Sequence, residues 1–188
     1  DEDVDQDPIT GYVNLSESST ANCYIINQGG SYRISAVRGN DASDVLQTAR
    51  TAEVLWESFG SSLSIGAGAL IKSVIYKDGY ICFKINDYFK KGNAVVAAKD
   101  ESGNILWSWH IWMTDQPQEH VYNNDAGTLM DRNLGATSAE PDIYSVGLMY
   151  QWGRKDPFMG PSSFDQNREF AKSSITWPTP VASDPSTG

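Results

Sequence analysis

Histidine and cysteine are scarce in this chain, two of each in 188 residues, and the scarcity removes several chemistries at once. His110 and His120 stand ten residues apart, a spacing that fits no standard zinc pattern. Cys23 and Cys82 both lie in apolar, strand-like runs, so one disulfide or two buried thiols would suit them. Two cysteines assign no redox compartment. Positive charge is short as well: 14 Lys and Arg face 24 Asp and Glu, for a net charge of −10. That balance argues against nucleic acid, whose phosphates need Lys and Arg to displace their counterions. No apolar run approaches the roughly 18 residues of a membrane-spanning helix, and no signal peptide stands at the given N-terminus. A Gly-x-Ser-x-Gly elbow, a phosphate-binding glycine loop and a paired-cysteine knuckle are all missing, so no catalytic residue and no cofactor is nominated.

What the chain does have is apolar surface to bury. Hydrophobic residues make up 40%, with six Trp and nine Tyr, enough for a packed core. The densest run is Asn104 to Met113, Asn-Ile-Leu-Trp-Ser-Trp-His-Ile-Trp-Met. As a strand it places Ile105, Trp107, Trp109 and Ile111 on one face, and Leu106, Ser108, His110 and Trp112 on the other. Both faces are largely apolar, so the strand is expected inside a sheet or between one module and the next. His110 reads as a hydrogen-bonded strand residue at that boundary.

Upstream, Asp1 to Asp7 holds five acids in seven residues, and residues 1–10 read as a flexible leader. Gly11 to Leu15 predicts an edge strand. Cys23 to Ile26 and Ser31 to Val37 flank Gln28-Gly29-Gly30 and predict a hairpin, with Tyr32, Ile34 and Ala36 facing one way. Val45, Leu46 and Ala49 have roughly helical spacing, which predicts a short helix over Asp44 to Arg50. Glu53 to Trp56 predicts a strand with Val54 and Trp56 on one face, followed by a flexible stretch from Gly60 to Gly68. Leu70 to Tyr76 and Tyr80 to Ile85 flank Lys77-Asp78-Gly79, the tight-hairpin signal of the chain. Ala94 to Ala98 predicts a further strand. Short strands between turns predict a mainly β chain, with an antiparallel β-sandwich over residues 11–115. Tyr80 stands two residues before Cys82, as in an immunoglobulin tyrosine corner. Trp56, however, follows Cys23 by 33 residues, too late for the immunoglobulin core Trp.

Thr114 to Glu119 contains Pro117 and predicts the boundary to a second unit, residues 120–188. In that unit a strand is expected over Thr128 to Leu134 and a loop over Gly135 to Asp142. The end is rich in Ser and Pro, with Phe164, Phe170, Ile175 and Trp177 as candidate anchors.

Two blocks in this unit are distinctive: Met130-Asp131-Arg132-Asn133-Leu134-Gly135-Ala136-Thr137, and Gly147-Leu148-Met149-Tyr150-Gln151-Trp152-Gly153-Arg154-Lys155-Asp156-Pro157-Phe158. They resemble the opening of the major paralogous domain family first described from Fibrobacter. The version they resemble occurs in secreted or lipid-anchored, fimbrillin-like surface proteins of Bacteroidetes. Blocks at Ala21 to Ile25, Glu53 to Glu57, Gly92 to Val95 and Ile105 to His110 are similar to the same version, so the likeness is scattered over residues 21–158. The resemblance implies a non-catalytic cell-surface or extracellular protein for adhesion or glycan binding, attached to the outer membrane only through a lipid anchor outside this chain. It also implies a smaller α+β, C-type-lectin-like fold for the second unit. The Gly-Trp, Leu-Pro-Thr type segment that closes such domains is not found before Gly188, so the second unit is expected to be truncated. The partners implied are glycans or other surface proteins. The alternative is a structural subunit of a fimbria-like appendage that assembles by strand addition. A hydrolase would need a marked pair of acids, and nothing marks one.

Candidate site residues follow from these blocks. Tyr150 and Trp152 offer a stacking platform for a sugar ring, with Arg154 as the flanking polar group; burial in a core is the competing reading of Trp152. Arg132 or Arg154 is expected to pair with Asp131 or Asp156. Glu140-Pro141-Asp142 superficially resembles the acid-Pro-amide motif of C-type lectins, and Asp125, Asp131 and Asn133 would supply further oxygens for a cation. The companion Trp-Asn-Asp signature is missing. A turn with Pro at its corner is the competing reading, and the site reading is no metal, with Glu140 and Asp142 as the candidates to watch.

Overall fold

The computed structural model describes residues 9–60 and 68–158, together with the backbone of 63–65. The acidic run Asp1 to Asp7, most of the Gly60 to Gly68 stretch and the anchors Phe164, Phe170, Ile175 and Trp177 lie outside the described residues. The chain is mainly β, with a single 3-10 turn at Ile143–Ser145 and no α-helix among the described residues. No helix there is long and apolar enough to cross a membrane.

One sheet has five strands in the order β2 (Cys23–Ile26), β9 (Ile105–Met113), β8 (Gly92–Lys99), β4 (Thr51–Phe59) and β5 (Leu63–Ile65). A second has four, in the order β1 (Val13–Asn14), β3 (Ser31–Ser35), β7 (Tyr80–Ile85) and β6 (Ile71–Lys77). A separate ribbon pairs β10 (Glu119–Val121) with β11 (Thr128–Met130). Two edge pairings, β1 with β3 and β2 with β9, are parallel, and the remaining pairings are antiparallel.

The two larger sheets share one core. Ala94, Val96, Ala98, Trp107, Trp109 and Ile111 from the five-stranded sheet join Tyr32, Ile34, Ile81, Phe83 and Ile85 from the four-stranded one in a single apolar cluster. Burying a large aliphatic or aromatic side chain stabilises by about 1.5–3 kcal/mol, so this cluster holds the molecule together. The Trp strand is an interior strand with both faces covered, and from Trp107 on its alternation is as expected. Before that the ladder skips Leu106, with Ala98 opposite Trp107 and Lys99 opposite Ile105, and Leu106 rather than Ile105 packs against the shared core. The Asp78-Gly79 turn joins β6 to β7 with positive φ at both residues, 48° and 82°, the twist-matched turn of a two-residue hairpin.

Three further local expectations are corrected. β2 and β3 do not form a hairpin but belong to different sheets. Tyr24 and Ile26 meet Tyr32 and Ile34 in the shared core, so the Gln28–Gly30 link carries the chain from one sheet to the other. Asp44 to Arg50 is not a helix. Its backbone bonds outward, Leu46 N–H to Ala36 O (2.9 Å) and Arg50 N–H to Lys99 O (2.8 Å), which leaves the buried Leu46 and Ala49 with turn rather than helical geometry. Finally, Val54 and Trp56 occupy opposite faces of β4. The ladder skips Leu55, with Val54 opposite Val96 and Trp56 opposite Val95, and this bulge reverses the alternation.

Candidate functional site

Side chains on the face of the five-stranded sheet turned away from the core include Asn93, Val95, Ser108, His110, Trp112 and Trp56. They are buried, and Gly135, Ala136, Leu148, Lys155 and Asp156 of the following segment contact this face. Trp112 Nε1 donates to Ala136 O (2.9 Å), and Asn93 Nδ2 donates to Gly60 O (2.6 Å) and Gly135 O (2.9 Å). Leu148 packs with Trp56 and Val95. With its amide nitrogen donating twice, Asn93 keeps Oδ1 as an acceptor for His110 Nε2 at 2.8 Å. His110 is then the Nε2–H tautomer, and its Nδ1 accepts from the Cys23 thiol at 3.2 Å. Burial pushes His110 down to about 3, Asp156 opposes that shift and Lys155 adds to it, so the imidazole is neutral.

The same face anchors a loop. Ser108 Oγ donates to Asp156 Oδ1 (2.6 Å), and Lys155 Nζ, ion-paired with Asp156, donates to Ser108 O (2.8 Å). Both partners of that ion pair are more than nine-tenths buried, and burial lowers the pKa of Lys155 against the pull of Asp156. Met149 and Phe158 close the loop through two backbone bonds, Met149 N–H to Phe158 O (3.0 Å) and Phe158 N–H to Met149 O (2.8 Å). At the tip, Arg154 N–H bonds Gln151 O at 3.0 Å and Gly153 has φ +75°. These are marks of a turn whose third residue needs glycine, and they put Trp152 at its corner. Trp152 is 100% exposed and Tyr150 47%. The phenol of Tyr150 is pushed upward mainly by burial and secondarily by Cys23. The Arg154 guanidinium carbon lies over Phe158, 4.0 Å from the ring centroid, and its Nε donates to Asp156 O (2.9 Å).

No family model, no curated protein and no solved structure matches the chain.

The remaining candidates take other places. Arg132, its side chain 3% exposed, forks onto Asp131 (2.8 and 3.0 Å) and reaches Asp115 (2.9 Å) and Thr114 Oγ1 (3.2 Å). Hydrogen bonds from Arg132 and Lys91 hold Asp115 well below the usual carboxylate range, and the carboxylates in turn raise Arg132. The expected partner of Arg132 is thus Asp131, whereas Asp156 takes Lys155 and gives Arg154 only its backbone carbonyl. A polar hollow of about 310 Å³ beside this cluster is lined by Met130, Asp131, Arg132, Asn133, Ala139 and Ser145. Asp142 caps the 3-10 turn: Oδ1 accepts from Tyr144 N–H (2.8 Å) and Oδ2 from Ser138 Oγ (3.1 Å). Glu140 is exposed on the same turn, Asp125 sits in the β10–β11 turn with φ 56°, and Asn133 Nδ2 donates to the carbonyls of Ser145 and Val146. No group of three or more acids, histidines or cysteines among the described residues is arranged to hold a metal ion. His120 stacks edge-on against Tyr122 on the exposed ribbon. No disulfide joins the two cysteines; Cys82 is buried and Cys23 is at the surface. Cys23 lies on the outward face of one sheet, opposite His110, and Cys82 on the outward face of the other, opposite Arg33, so the core separates them.

Asn93, Ser108 and Lys155 were beyond the reach of the sequence as site residues. Ser108 and His110 interrupting an apolar face was the available signal, because a polar residue buried there needs a partner.

Proposed function

We propose that the chain is a non-catalytic cell-surface protein for adhesion or glycan binding. In this reading a β-sandwich over residues 11–115 carries a smaller C-type-lectin-like unit, and Trp152 is the contact residue. The exposure of Trp152 carries the reading. A Trp buries 150–250 Å² when covered, and leaving all of it in water at the corner of a loop pinned by a buried Lys155–Asp156 pair is costly unless a partner covers it. A pinned loop also loses little freedom on binding. Tyr150 widens the apolar surface and Arg154 supplies polarity, the composition that suits a sugar ring. The likeness of the 130–137 and 147–158 blocks to surface proteins of Bacteroidetes supports the location.

The test is a glycan panel probed with the full chain and with Trp152→Ala. Selective binding that falls at least about tenfold in the variant, with unchanged thermal unfolding, is the expected result. Absence of binding by the folded protein would overturn it. A second reading, a fimbria-like subunit that assembles by strand addition, is favoured by the β10–β11 ribbon. Every residue of its two strands is exposed, Val121 and Leu129 among them at 65% and 57%. A two-stranded ribbon is marginal alone and gains by adding strands. Concentration-dependent assembly in sedimentation velocity, without any glycan bound, would select it.

A further inference from the structure

Charge on the Trp152 loop goes beyond the generic platform, and we propose that its ligand is an acidic sugar that presents a carboxylate to Arg154. The proposal rests on the reading of Trp152 as a stacking surface. Between Met149 and Phe158 the charged residues are Arg154, Lys155 and Asp156. Lys155 and Asp156 neutralise each other inside the protein. Arg154 is left as the unbalanced charge of the loop, on a chain whose net charge is −10.

Its geometry is that of a positioned receptor group. The guanidinium is held over the Phe158 ring, and Nε is spent on the Asp156 carbonyl. No carboxylate or carbonyl among the described residues takes Nη1 or Nη2, which leaves the end-on pair of parallel N–H groups open as far as those residues go. The residue is partly exposed. A carboxylate matches that pair with two parallel, charge-assisted hydrogen bonds, one to each oxygen, which the single neutral oxygen of a hydroxyl does not reproduce. The turn that bonds Arg154 N–H to Gln151 O keeps the Cα atoms of its end residues within about 7 Å, so Trp152 and Arg154 both issue from one tight turn. Stacking on Trp152 supplies area without selecting charge, and Arg154 supplies the selection. Because the guanidinium is already fixed, little side-chain entropy is lost when it engages.

Uronic-acid-bearing and sialic-acid-bearing oligosaccharides, each paired with its carboxyl-reduced form, would be titrated by calorimetry into the full chain, Trp152→Ala, Arg154→Gln and Arg154→Lys. The expected result is a preference of about tenfold or more for at least one acidic form over its reduced partner. Arg154→Gln should erase that preference while residual stacking affinity persists. Arg154→Lys should restore it in part, because charge without the fork gives a weaker contact. Trp152→Ala should weaken both forms. Equal binding of acidic and reduced sugars by the wild-type chain would overturn the carboxylate assignment and leave the platform standing. No sugar bound, or affinity indifferent to Trp152→Ala, would overturn the platform and the assignment together.

Discussion

Glu57 shows how a single buried charge can set a fold. It is 1% exposed, on the core side of β4, and its carboxylate accepts from three successive backbone N–H groups: Ala69 (2.9 Å), Leu70 (3.2 Å) and Ile71 (2.7 Å). Those groups begin β6 in the opposite sheet, so one side chain ties the two sheets together. Removing a carboxylate from water costs several kcal/mol, and three charge-assisted bonds offset that. Glu57→Gln keeps the shape but turns an amide N–H toward at least one donor, whereas Glu57→Ala leaves all three N–H groups without this acceptor. Urea denaturation is expected to show losses of about 1.5–3 kcal/mol for Gln and about 3–5 kcal/mol for Ala. Equal stability of the three proteins would remove Glu57 from this role. Trp109 makes the contrasting case: its buried Nε1 has no acceptor among the described residues, so the indole contributes through area alone.

At the scale of elements, the bulge at Leu55 decides which way Glu57 points. Strict alternation from Ala52 and Val54 would put Trp56 in the core and Glu57 outside; the skipped residue sends Trp56 to the outer face with Val95 and Leu148. Deleting Leu55 therefore leaves a regular ladder with every later side chain on its present face. A Leu55 deletion is expected to fold and to lose only its packing, about 1–3 kcal/mol, with cooperative thermal unfolding. Deleting Val96 from the unbulged β8 strand shifts one half of that strand by a residue against both neighbours, and should abolish cooperative unfolding. This bulge also marks where reading the sequence stops working. Alternation in Tyr32-Ile34-Ala36, in the Trp strand from Trp107 on and around Asp78-Gly79 is local, and those elements were legible. Pairing depends on distant partners: nothing within Cys23 to Ile26 tells that it joins β9 rather than β3, or that Leu46 N–H bonds Ala36 just past β3 and Arg50 N–H bonds Lys99 of β8 in place of a helical ladder. The site divides in the same way. Trp152 and Arg154 were visible as residues, but the exposure of Trp152 and the open edge of Arg154 come from Lys155 reaching Ser108, a contact across 47 residues.

For the whole molecule, the seam between the five-stranded sheet and the segment over it is polar, sealed and pH-sensitive. His110 is 5% exposed and neutral, held between Cys23 and Asn93, while Asn93 grips the Gly60 and Gly135 carbonyls. The groups facing it are Asp156 and Lys155, which act on it in opposite senses, and burial dominates. Its folded pKa, about 3, lies below the ordinary 6.5, so between those values the unfolded chain takes up a proton that the folded chain refuses. The stabilisation is complete above the ordinary value and drains away as pH falls toward the folded one. Between pH 7 and pH 5 the loss is about 2 kcal/mol from this residue. Asp115 and Asp131, both lowered by Arg132, release their share only as pH falls below the ordinary carboxylate value, so the interval above pH 5 largely isolates the histidine. Falling pH also relieves the repulsion of a chain at −10, an opposing effect common to wild type and variant. His110→Gln removes the titrating group, so denaturant unfolding at pH 7 and pH 5 should show a smaller drop for the variant than for the wild type, whatever the absolute cost of the substitution. Equal drops would mean that the imidazole is reached by solvent or already protonated in the folded chain, and that the segment carrying Trp152 is not sealed onto the sheet.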